Sequence, residues 1–464
     1  MPRLHQSASR LIRVAIIGSG PAAFYAAEAL LKHPDVQVDM LERLPTPYGL
    51  VRGGVAPDHQ KIKSVIAIYQ KIAAHPGFRY FGNLEYGRDL HRADLESHFH
   101  AILYATGAQT DRRLGIPGED LKGSHSATEF VAWYNGHPDF RDRVFDLSCE
   151  GAAVIGMGNV AVDVARILCL TPEHLKTTDM ADEAIAALEK SRVREVHMLG
   201  RRGVVQAAFT TVEVKELGEL EAADVIVDAD ECALDAASAE ELAAGRATVK
   251  AKVDIVQGFA KKTREGKPRR LHIRFCVSPI EILGDDQGRV RGLRLVKNRL
   301  VRDESGVRAE PTGEIDDLEV GIVFRSVGYK GVPLPELPFD ERRGTLPHEK
   351  GRVFDPITRA PLRGHYVTGW IKRGPSGVIG NNKADSVETV NALIEDAGKG
   401  ALLAPPHPEP QDFEACARAR QPNLVTFADW RQIDRLEMER GVPQGRPRVK
   451  LTTIDEMLGA IPRD

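Results

Sequence analysis

Two glycine-rich turns, each between an apolar β-type run and a helical stretch, constrain this chain more than any other feature. The first, Gly18-Ser19-Gly20-Pro21-Ala22-Ala23, follows the β-branched run at 13–17. The second, Gly156-Met157-Gly158-Asn159-Val160-Ala161, follows the apolar run at 152–155. A strand, a G-x-G-x-x-A turn and a helix begin a nucleotide-binding βαβ unit. Two such units predict an α/β fold with two Rossmann-like nucleotide-binding domains rather than a repeat array.

In the first unit, each small residue of the turn has its own task. Gly18 permits the tight turn, Gly20 lets a pyrophosphate approach the backbone, and the third small residue allows close helix–strand packing. The second strand is expected at 36–42, and Glu42 ends it where a carboxylate can accept from ribose hydroxyls. This pattern favours an FAD-type site, and the alternative is a surface glutamate beside an ordinary turn.

The second unit differs at the corresponding position, because its second strand at 193–199 runs into Gly200-Arg201-Arg202. Arginine offers a permanently charged, bidentate fork that matches a phosphate group. Arg201 and Arg202 therefore favour a ribose that carries a 2′-phosphate, which is the mark of an NADP site. An arginine pair is also common at solvated corners, and this alternative stays open at this point.

The cysteines restrict the redox chemistry that the chain can perform by itself. Five occur, at positions 149, 169, 232, 276 and 416, and none forms a Cys-x-x-Cys pair. An odd, dispersed set is typical of free thiols in a reducing compartment. It supplies neither a dithiol for disulfide reduction nor a thiolate cluster for zinc or an iron–sulfur centre. Any iron–sulfur centre must therefore come from a partner.

Length, charge and hydropathy narrow the class of protein. A chain of 464 residues favours two or three domains, and 63 basic against 66 acidic residues argue against nucleic acid as the main partner. The first twelve residues carry Arg3 and Arg10 but no apolar run of signal-peptide length. No stretch approaches the 18 or so apolar residues of a membrane span. These observations predict a cytoplasmic protein.

Further motifs point to one family. In chain order they are Tyr48-Gly49-Leu50-Val51-Arg52, Gly54-Val55-Ala56-Pro57-Asp58-His59, Phe81-Gly82-Asn83, Ile116-Pro117-Gly118-Glu119, Trp133-Tyr134-Asn135-Gly136, Gly158 through Leu168, Gly200 through Thr210, and Gly369 through Ile379. With the first glycine turn, they resemble adrenodoxin reductase and its bacterial ferredoxin–NADP reductase relatives over residues 13 to about 398. Gln60 and Val204 stand where the family often has proline, and neither replaces a group with an obvious chemical role.

The resemblance implies a domain organisation and an activity. It implies a glutathione-reductase-like FAD domain formed by residues 1–108 and 330–400, an NADP domain inserted at 109–329, and a C-terminal extension at 401–464. The extension has helical spacing and no assigned role. The implied activity is hydride transfer between NADPH and FAD, followed by one-electron transfer between FAD and a ferredoxin, because a flavin exchanges electrons both in pairs and singly.

The resemblance also assigns individual residues. Flavin contacts fall on Ala22, Glu42, Leu50, Tyr86, Trp370, Gly377, Val378 and Ile379, and NADP contacts on Met157, Gly158, Asn159, Val160, Arg201, Arg202, Glu213 and Gly377. His59 and Glu213 are placed near the nicotinamide as the candidate catalytic residues. From the sequence alone, an Asp-His pair in a loop is more often structural. The glycines before a helix at 383–397 are expected to aim backbone N–H groups at the flavin, with Trp370 packed against its ring.

A basic segment is a candidate docking surface for the ferredoxin, which is acidic in this family. Its cations are Lys261, Lys262, Arg264, Lys267, Arg269 and Arg270. The alternative is an ordinary solvated loop. An attraction of this kind would act mainly on the association rate and would weaken with salt.

Two other functions are compatible with parts of the sequence. One is the flavin electron-input subunit related to the small subunit of glutamate synthase, whose relatives bring their own cysteine clusters, which this chain lacks. The other is a flavoprotein that binds nucleotides without catalysis, for which two complete nucleotide motifs would be unnecessary. Because the recognised motifs end near residue 400, truncation after that point is expected to leave dye reduction largely unchanged.

Overall fold

The computed structural model describes residues 11–304 and 306–462, so the expectation for the N-terminal residues 1–10 lies outside the described chain. The strands are, in chain order, β1 (Ile12–Ile17), β2 (Val36–Leu41), β3 (Phe78–Phe81), β4 (Ala101–Tyr104), β5 (Thr110–Asp111), β6 (Ser124–Ser126), β7 (Gly151–Ile155), β8 (Glu195–Leu199), β9 (Ala223–Val227), β10 (Arg269–Arg274), β11 (Val277–Gly284), β12 (Val290–Asp303), β13 (Gly306–Leu318), β14 (Ile322–Arg325), β15 (Tyr329–Lys330), β16 (His348–Glu349), β17 (Arg352–Phe354) and β18 (Pro361–Val367).

The helices are α1 (Pro21–Leu30), α2 (Leu50–Gly53), α3 (Gln60–Lys63), α4 (Ile66–Ala73), α5 (Arg92–His98), α6 (Ala127–Tyr134), α7 (Asn159–Cys169), α8 (Pro172–Leu175), α9 (Asp182–Glu189), α10 (Thr211–Leu217), α11 (Ala236–Ala244), α12 (Ala247–Lys261), α13 (Trp370–Arg373), α14 (Asn381–Gly398), α15 (Pro410–Arg420), α16 (Phe427–Gly441) and α17 (Ile454–Gly459). Among the described residues, none of these helices is long and apolar enough to cross a membrane.

Two sheets carry the two glycine-rich turns. The first sheet has the strand order β16-β17-β18-β4-β1-β2-β3, and the second has the order β6-β14-β7-β8-β10-β9. In both sheets the strand before the glycine turn is central and pairs in parallel with its neighbours, as in β1 with β2 and β7 with β8. Because nucleotides bind at the carboxyl ends of such strands, each sheet places its glycine turn at a nucleotide-binding edge.

The first sheet draws its strands from both ends of the core sequence. β18 pairs in parallel with β4, at His365 with Ile102 and Val367 with Tyr104. The strands β1 and β4 are buried on both faces, which explains their continuous runs of apolar residues. The chain thus leaves this sheet after β4, forms the second sheet, and returns with the strands near residue 350.

An antiparallel sheet of β11, β12 and β13 lies against the second sheet. It shares a buried cluster with that sheet, in which Leu293 and Leu295 of β12 pack with Ala153 and Val323. β12 and β13 form a long hairpin with a register shift between Val296 and Asn298. This hairpin covers one face of the second sheet, whereas helices cover the other face.

The C-terminal segment is part of the first domain's core. Trp430, Ile433, Leu451 and Met457 belong to the same buried cluster as the strand β1. Phe413 of α15 packs in the cluster on the other face of the sheet. The expectation that truncation after about residue 400 leaves dye reduction largely unchanged assumed an appendage separate from the core, and these contacts contradict that assumption.

Candidate active site

The first glycine turn and Glu42 form one hydrogen-bonded unit. Glu42 Oε2 accepts from the Ser19 backbone N–H at 3.2 Å and from Ser19 Oγ at 2.6 Å. Gly18 has φ of +102°, and a Cβ there would lie 2.7 Å from the Ala105 carbonyl oxygen. A Cβ on Gly20 would meet no atom within 4 Å, so the space above this residue is open. The geometry fits a phosphate over Gly20 and a ribose beside Glu42.

A second loop reaches the same place from the far end of the sequence. A Cβ on Gly369, which has φ of +76°, would lie only 2.6 Å from the Ala22 Cβ. Ser386 Oγ of α14 donates to the Ala22 carbonyl at 2.9 Å, so α14 is fixed against α1. Ala22 and Trp370, assigned to one cofactor from the sequence, therefore lie at the starts of two neighbouring helices, α1 and α13.

The loop before α14 is shaped by hydrogen bonds. Trp370 Nε1 donates to the Ser376 carbonyl at 3.1 Å, and the Val378 N–H donates to Asn381 Oδ1 at 2.8 Å. The side chains of Leu50 and Val378 are exposed by 36% and 55%, although both are apolar. A flat, partly apolar ring system packed against the Leu50 and Val378 side chains would cover their exposed surface, and a flavin has this shape.

Tyr86 occupies a different environment from the other assigned flavin residues. Its ring packs edge-on to Tyr104 at a centroid distance of 5.8 Å, and its hydroxyl donates to the Pro335 carbonyl at 2.9 Å. Tyr86 and Tyr104 belong to a buried cluster of the first domain, whereas Pro335 is exposed. A flavin contact at Tyr86 stays a prediction.

The second glycine turn is braced by the segment that follows the arginine pair. The Met157 carbonyl accepts from the N–H groups of Ala208 and Phe209, both at 2.8 Å. Asn159 Oδ1 accepts from the Thr210 N–H at 2.8 Å. A Cβ on Gly158 would meet no atom within 4 Å. As at the first turn, the backbone is open to a phosphate, and α7 begins at Asn159 directly behind it, with Val160 in its first turn.

The arginine pair has a fixed backbone and available side chains. Asn298 Nδ2 donates to the Arg201 carbonyl at 2.9 Å, and the Cys276 N–H donates to the Arg202 carbonyl at 3.2 Å. Within residues 11–304 and 306–462, neither guanidinium forms an ion pair with a carboxylate. Two cations held at a strand end without acidic partners are suited to bind an anion.

His59 connects the two domains. Its Nε2 lies 2.8 Å from Glu216 Oε2 on α10, and its Nδ1 lies 3.9 Å from Asp163 Oδ1 on α7. Asp163 also accepts from Arg166 at 3.0 Å, and Arg166 is paired with Asp58, the neighbour of His59. The Asp58-His59 pair therefore lies in the contact between the first and second domains, close to α7 behind the second glycine turn.

Glu213 is one turn of α10 away from Glu216 and is buried. Burial, followed by the negative charge of Asp163, raises the pKa of Glu213 to about 7. Its Oε2 is shielded from solvent and has no hydrogen-bond partner among the described residues. An unpartnered carboxyl oxygen beside His59 is available to bind an amide or to hold a proton.

Glu216 was missed by the sequence analysis, which placed Glu213 alone beside His59. The two glutamates are three positions apart on one helix and so lie on one face. One donor atom each from His59, Glu213 and Glu216 lies within 4.8 Å of the others. The spacing was visible in the sequence, but the partner of His59 depends on how α10 packs against the first domain.

The basic segment lies away from this site. It joins α12 to the amino end of β10, whereas both glycine turns follow the carboxyl ends of their strands. Lys262 and Lys267 are paired with Glu265 at 3.3 and 3.1 Å, and Arg270 is paired with Glu195. Its position and its ion pairs favour the solvated-loop alternative over a docking surface.

Comparisons with known proteins agree with this geometry. The sequence model of the family described as Pyridine nucleotide-disulphide oxidoreductase matches residues 12–238. The solved structure of Mycobacterium tuberculosis FprA in complex with NADPH superposes with a TM-score of 0.89 and 45% identity, covering 97% of this chain and 99% of that chain. The NADPH-ferredoxin reductase FprA of Mycobacterium tuberculosis is 48% identical over 456 residues, which cover 96% of this chain and 98% of that protein. The chain belongs to the FprA family.

Membership of the FprA family extends to the C-terminal segment. The mitochondrial NADPH:adrenodoxin oxidoreductase of Salvelinus fontinalis is also similar, at 42% identity over 455 residues, or 96% of this chain and 90% of that protein. The recognised motifs ended near residue 400, but the similarity to both proteins covers nearly the whole chain. Residues 401–464 are therefore a family feature rather than an addition to it.

Proposed function

We propose that this protein is an FAD-dependent NADPH–ferredoxin reductase, an oxidoreductase that transfers electrons between NADPH and a separate iron–sulfur protein. The observation that carries the proposal is the presence of two nucleotide sites of opposite type in one chain, with His59 of the first domain in contact with α7 and α10 of the second. One site ends in a carboxylate, Glu42, and the other in the cations Arg201 and Arg202. Full-length similarity to a protein named NADPH-ferredoxin reductase supports the same function.

The residues at both sites fit the two cofactors. Gly20 and Gly158 leave open space where a pyrophosphate would lie, at the start of α1 and α7 respectively. We propose that Ala22, Glu42, Leu50, Trp370 and residues 377–379 hold FAD. We propose that residues 157–160 with Arg201 and Arg202 hold NADP. Bound FAD supplies the two-electron exchange with NADPH and the one-electron exchange with ferredoxin.

We propose that two residues of the chain orient the nicotinamide and set the local charge around it. We propose that Glu213 binds the carboxamide, because its free Oε2 lies in the contact between the domains. His59 belongs to the first domain and lies in the same contact between the domains, where its ring is fixed by Glu216. Neither residue needs to act as a general base, so their contribution is to orientation and to the local charge.

We also propose that residues 1–108 and 330–400 form the FAD domain and that residues 109–329 form the NADP domain. Residues 401–464 pack against the FAD domain and stabilise it. The strand membership of the two large sheets supports this division. A cytoplasmic location is a further part of the proposal. It is supported by five cysteines that are all free thiols in the structure.

Two measurements test the function. The purified protein is expected to be yellow with flavin absorption bands, and to reduce cytochrome c with NADPH only when a ferredoxin is added. A protein that stays colourless after incubation with FAD would contradict the cofactor assignment. NADPH oxidation that never responds to ferredoxin would instead favour a different electron acceptor.

The alternative of a flavin subunit related to glutamate synthase is less well supported. The similarity to FprA covers 98% of that protein, so the chain matches it from end to end. The sequence carries no cysteine cluster that would let it form its own iron–sulfur centre.

A further inference from the structure

Two histidines lie side by side on the second sheet, on the face opposite its buried helical layer. β8 and β10 are adjacent parallel strands, and their register pairs His197 with His272. Side chains alternate along a strand, so Glu195 and His197 project to the same face of β8. The intervening Val196 projects to the other face and is buried in the core beneath α7. The three polar side chains therefore share one small area.

Their contacts bring the three groups together. The rings of His197 and His272 are nearly parallel, with centroids 4.5 Å apart and an interplanar angle of 16°. Glu195 Oε2 lies 2.8 Å from His272 Nε2. One donor atom from each of the three residues lies within 4.8 Å of the others. This cluster is separate from the group formed by His59, Glu213 and Glu216.

His197 has unused binding capacity. Its imidazole makes no hydrogen bond with the described residues, and its Nδ1 is shielded from solvent. Shielded ring nitrogens without a protein partner are uncommon in folded proteins, and such a nitrogen often binds an ordered water or an ion. Besides its stacking on His197, the His272 side chain makes one hydrogen bond with the described residues, the contact with Glu195, which a metal ion could replace.

Arg270 already holds the carboxylate in place. It is paired with Glu195 Oε1, whereas His272 contacts Oε2. Metal-ligating carboxylates are commonly oriented in this way by a hydrogen-bond donor behind them. Oε2 can therefore turn to a cation while Arg270 keeps its hold on Oε1.

We propose that Glu195, His197 and His272 form a binding site for a divalent transition-metal ion of the Zn²⁺ class. Two imidazoles and one carboxylate are a ligand set that zinc accepts, with water in a fourth position. Zinc binds such ligands at about 2.0–2.2 Å, which places its donor atoms roughly 3.3 Å apart, so Glu195 Oε2 and His272 Nε2 must separate slightly while the His197 nitrogen moves toward them. Side-chain rotation accomplishes this, because Glu195 and His272 are only half-buried.

The site would join two strands that lead to the NADP loop. β8 continues into Arg201 and Arg202, and the Cys276 N–H that follows β10 donates to the Arg202 carbonyl. A metal that binds only the folded state stabilises it in proportion to the logarithm of its concentration above the dissociation constant. Zn²⁺ is therefore expected to raise the unfolding temperature of the protein.

The test is a calorimetric titration of the untagged, FAD-loaded full-length protein with Zn²⁺ after treatment with a chelator. His197→Gln and His272→Gln are each expected to lose one equivalent of Zn²⁺ binding, with at least about 100-fold weaker affinity, since loss of a mere supporting group costs about 10–100-fold. His91→Gln is the matched control, because His91 is an exposed histidine outside the cluster. NADPH-dependent dye reduction should persist in both cluster variants and reports that they are folded.

A Zn²⁺ isotherm that is the same for wild type and both cluster variants would overturn the proposal, as would the absence of stoichiometric binding to wild type. If either histidine variant does not fold, Cu²⁺ titration of the wild type gives an independent result. Its electron paramagnetic resonance spectrum is expected to show coupling to two nitrogens, and the oxidised flavin is silent in that experiment. Coupling to fewer than two nitrogens would also overturn the proposal.

Discussion

Arg52, in the short helix α2 that begins at Leu50, forms a two-point ion pair with Glu437 of the C-terminal helix α16. The two contacts are 2.8 Å from Nη1 to Oε2 and 2.5 Å from Nη2 to Oε1. Glu437 is fully buried and also accepts from the Leu451 N–H at 2.9 Å. The Arg52 guanidinium lies over the Trp430 ring, 5.2 Å from its centroid. The C-terminal segment thus fixes the helix α2, whose first residue, Leu50, we assign to the flavin site.

Glu437→Ala is expected to destabilise the protein strongly. The substitution leaves Arg52 buried without its counter-ion, and breaking a buried pair in this way costs about 3–5 kcal/mol. Urea unfolding of the variant measures the loss of free energy. Glu439→Ala, an exposed position on the same helix, is the control and should change stability by no more than about 0.5 kcal/mol. Similar midpoints for both variants would contradict the role of the pair.

The same pair predicts a pH dependence of stability. Burial alone would raise the pKa of Glu437, but the charge and hydrogen bonds of Arg52, the charge of Arg448 and the hydrogen bond from the Leu451 N–H together lower it. Because the folded-state pKa lies below the unfolded value of about 4.3, its contribution is present above that pH and is lost as the pH falls further. The stability difference between wild type and Glu437→Gln should therefore shrink on acidification below about pH 4. A difference that grows instead would mean that burial dominates.

Truncation after residue 408 is expected to give a colourless or insoluble protein. It removes Phe413, Trp430, Ile433 and Met457, all of which are buried in the first domain's core. The measurement is the flavin absorbance per protein in the soluble fraction. A yellow, soluble product with unchanged dye reduction would show that the segment is dispensable after all.

Glu42→Ala is expected to weaken the retention of FAD and to leave the NADP site intact. The substitution removes the acceptor of the Ser19 N–H and hydroxyl, which is also the acceptor that we propose for the ribose. Flavin content after extended dialysis is the readout, with binding of NADP⁺ as the internal control. Ser19→Ala separates the two roles of Glu42, because it removes the contact with the turn but keeps the carboxylate. Full flavin content in dialysed Glu42→Ala would count against the assignment.

The sequence was sufficient for the parts of the fold that depend on local pattern. The helix expected at 383–397 is α14 (Asn381–Gly398), and the strand expected at 36–42 is β2 (Val36–Leu41). In both segments the apolar residues recur at the spacing of the element, and a glycine or a turn marks the ends. The turn before α1 was equally clear, since Pro21 and two glycines define its start.

Contacts between distant segments were not accessible in this way. His59 pairs with Glu216 and Arg52 pairs with Glu437, and in both cases the two residues are far apart in the chain. In the sequence, each of these residues looks like an ordinary charged residue on the surface. The C-terminal helices have helical spacing in the sequence but low apolar content, so the pattern does not indicate that Trp430 and Ile433 pack into the first domain's core. Tertiary packing, which a one-dimensional pattern does not contain, determines these features.

Glu213→Gln is expected to stabilise the protein at alkaline pH. Burial raises the pKa of Glu213 to about 7, so the folded state binds a proton more tightly than the unfolded state. Stability from this group is present in full below the unfolded pKa of about 4.3 and is lost as the pH rises to about 7. At pH 8 the glutamine variant avoids the ionised form, with a gain of up to about 3 kcal/mol. Thermal unfolding at pH 4 and pH 8 measures the difference, and an equal effect at both would contradict the raised pKa.

Neutralising both Arg201 and Arg202 is expected to raise KM for NADPH while barely changing KM for NADH, which lacks the 2′-phosphate. Hydrogen bonds to charged groups contribute about 1.5–3 kcal/mol each, so the loss of two is expected to cost on the order of a hundredfold. kcat should change little, because the phosphate is remote from the reacting ring and binds equally in the ground and transition states. Arg299→Ala on the β12–β13 hairpin is the control for a nonspecific loss of positive charge. Equal losses with NADPH and NADH would mean that the pair supports the fold and that the phosphate is bound elsewhere.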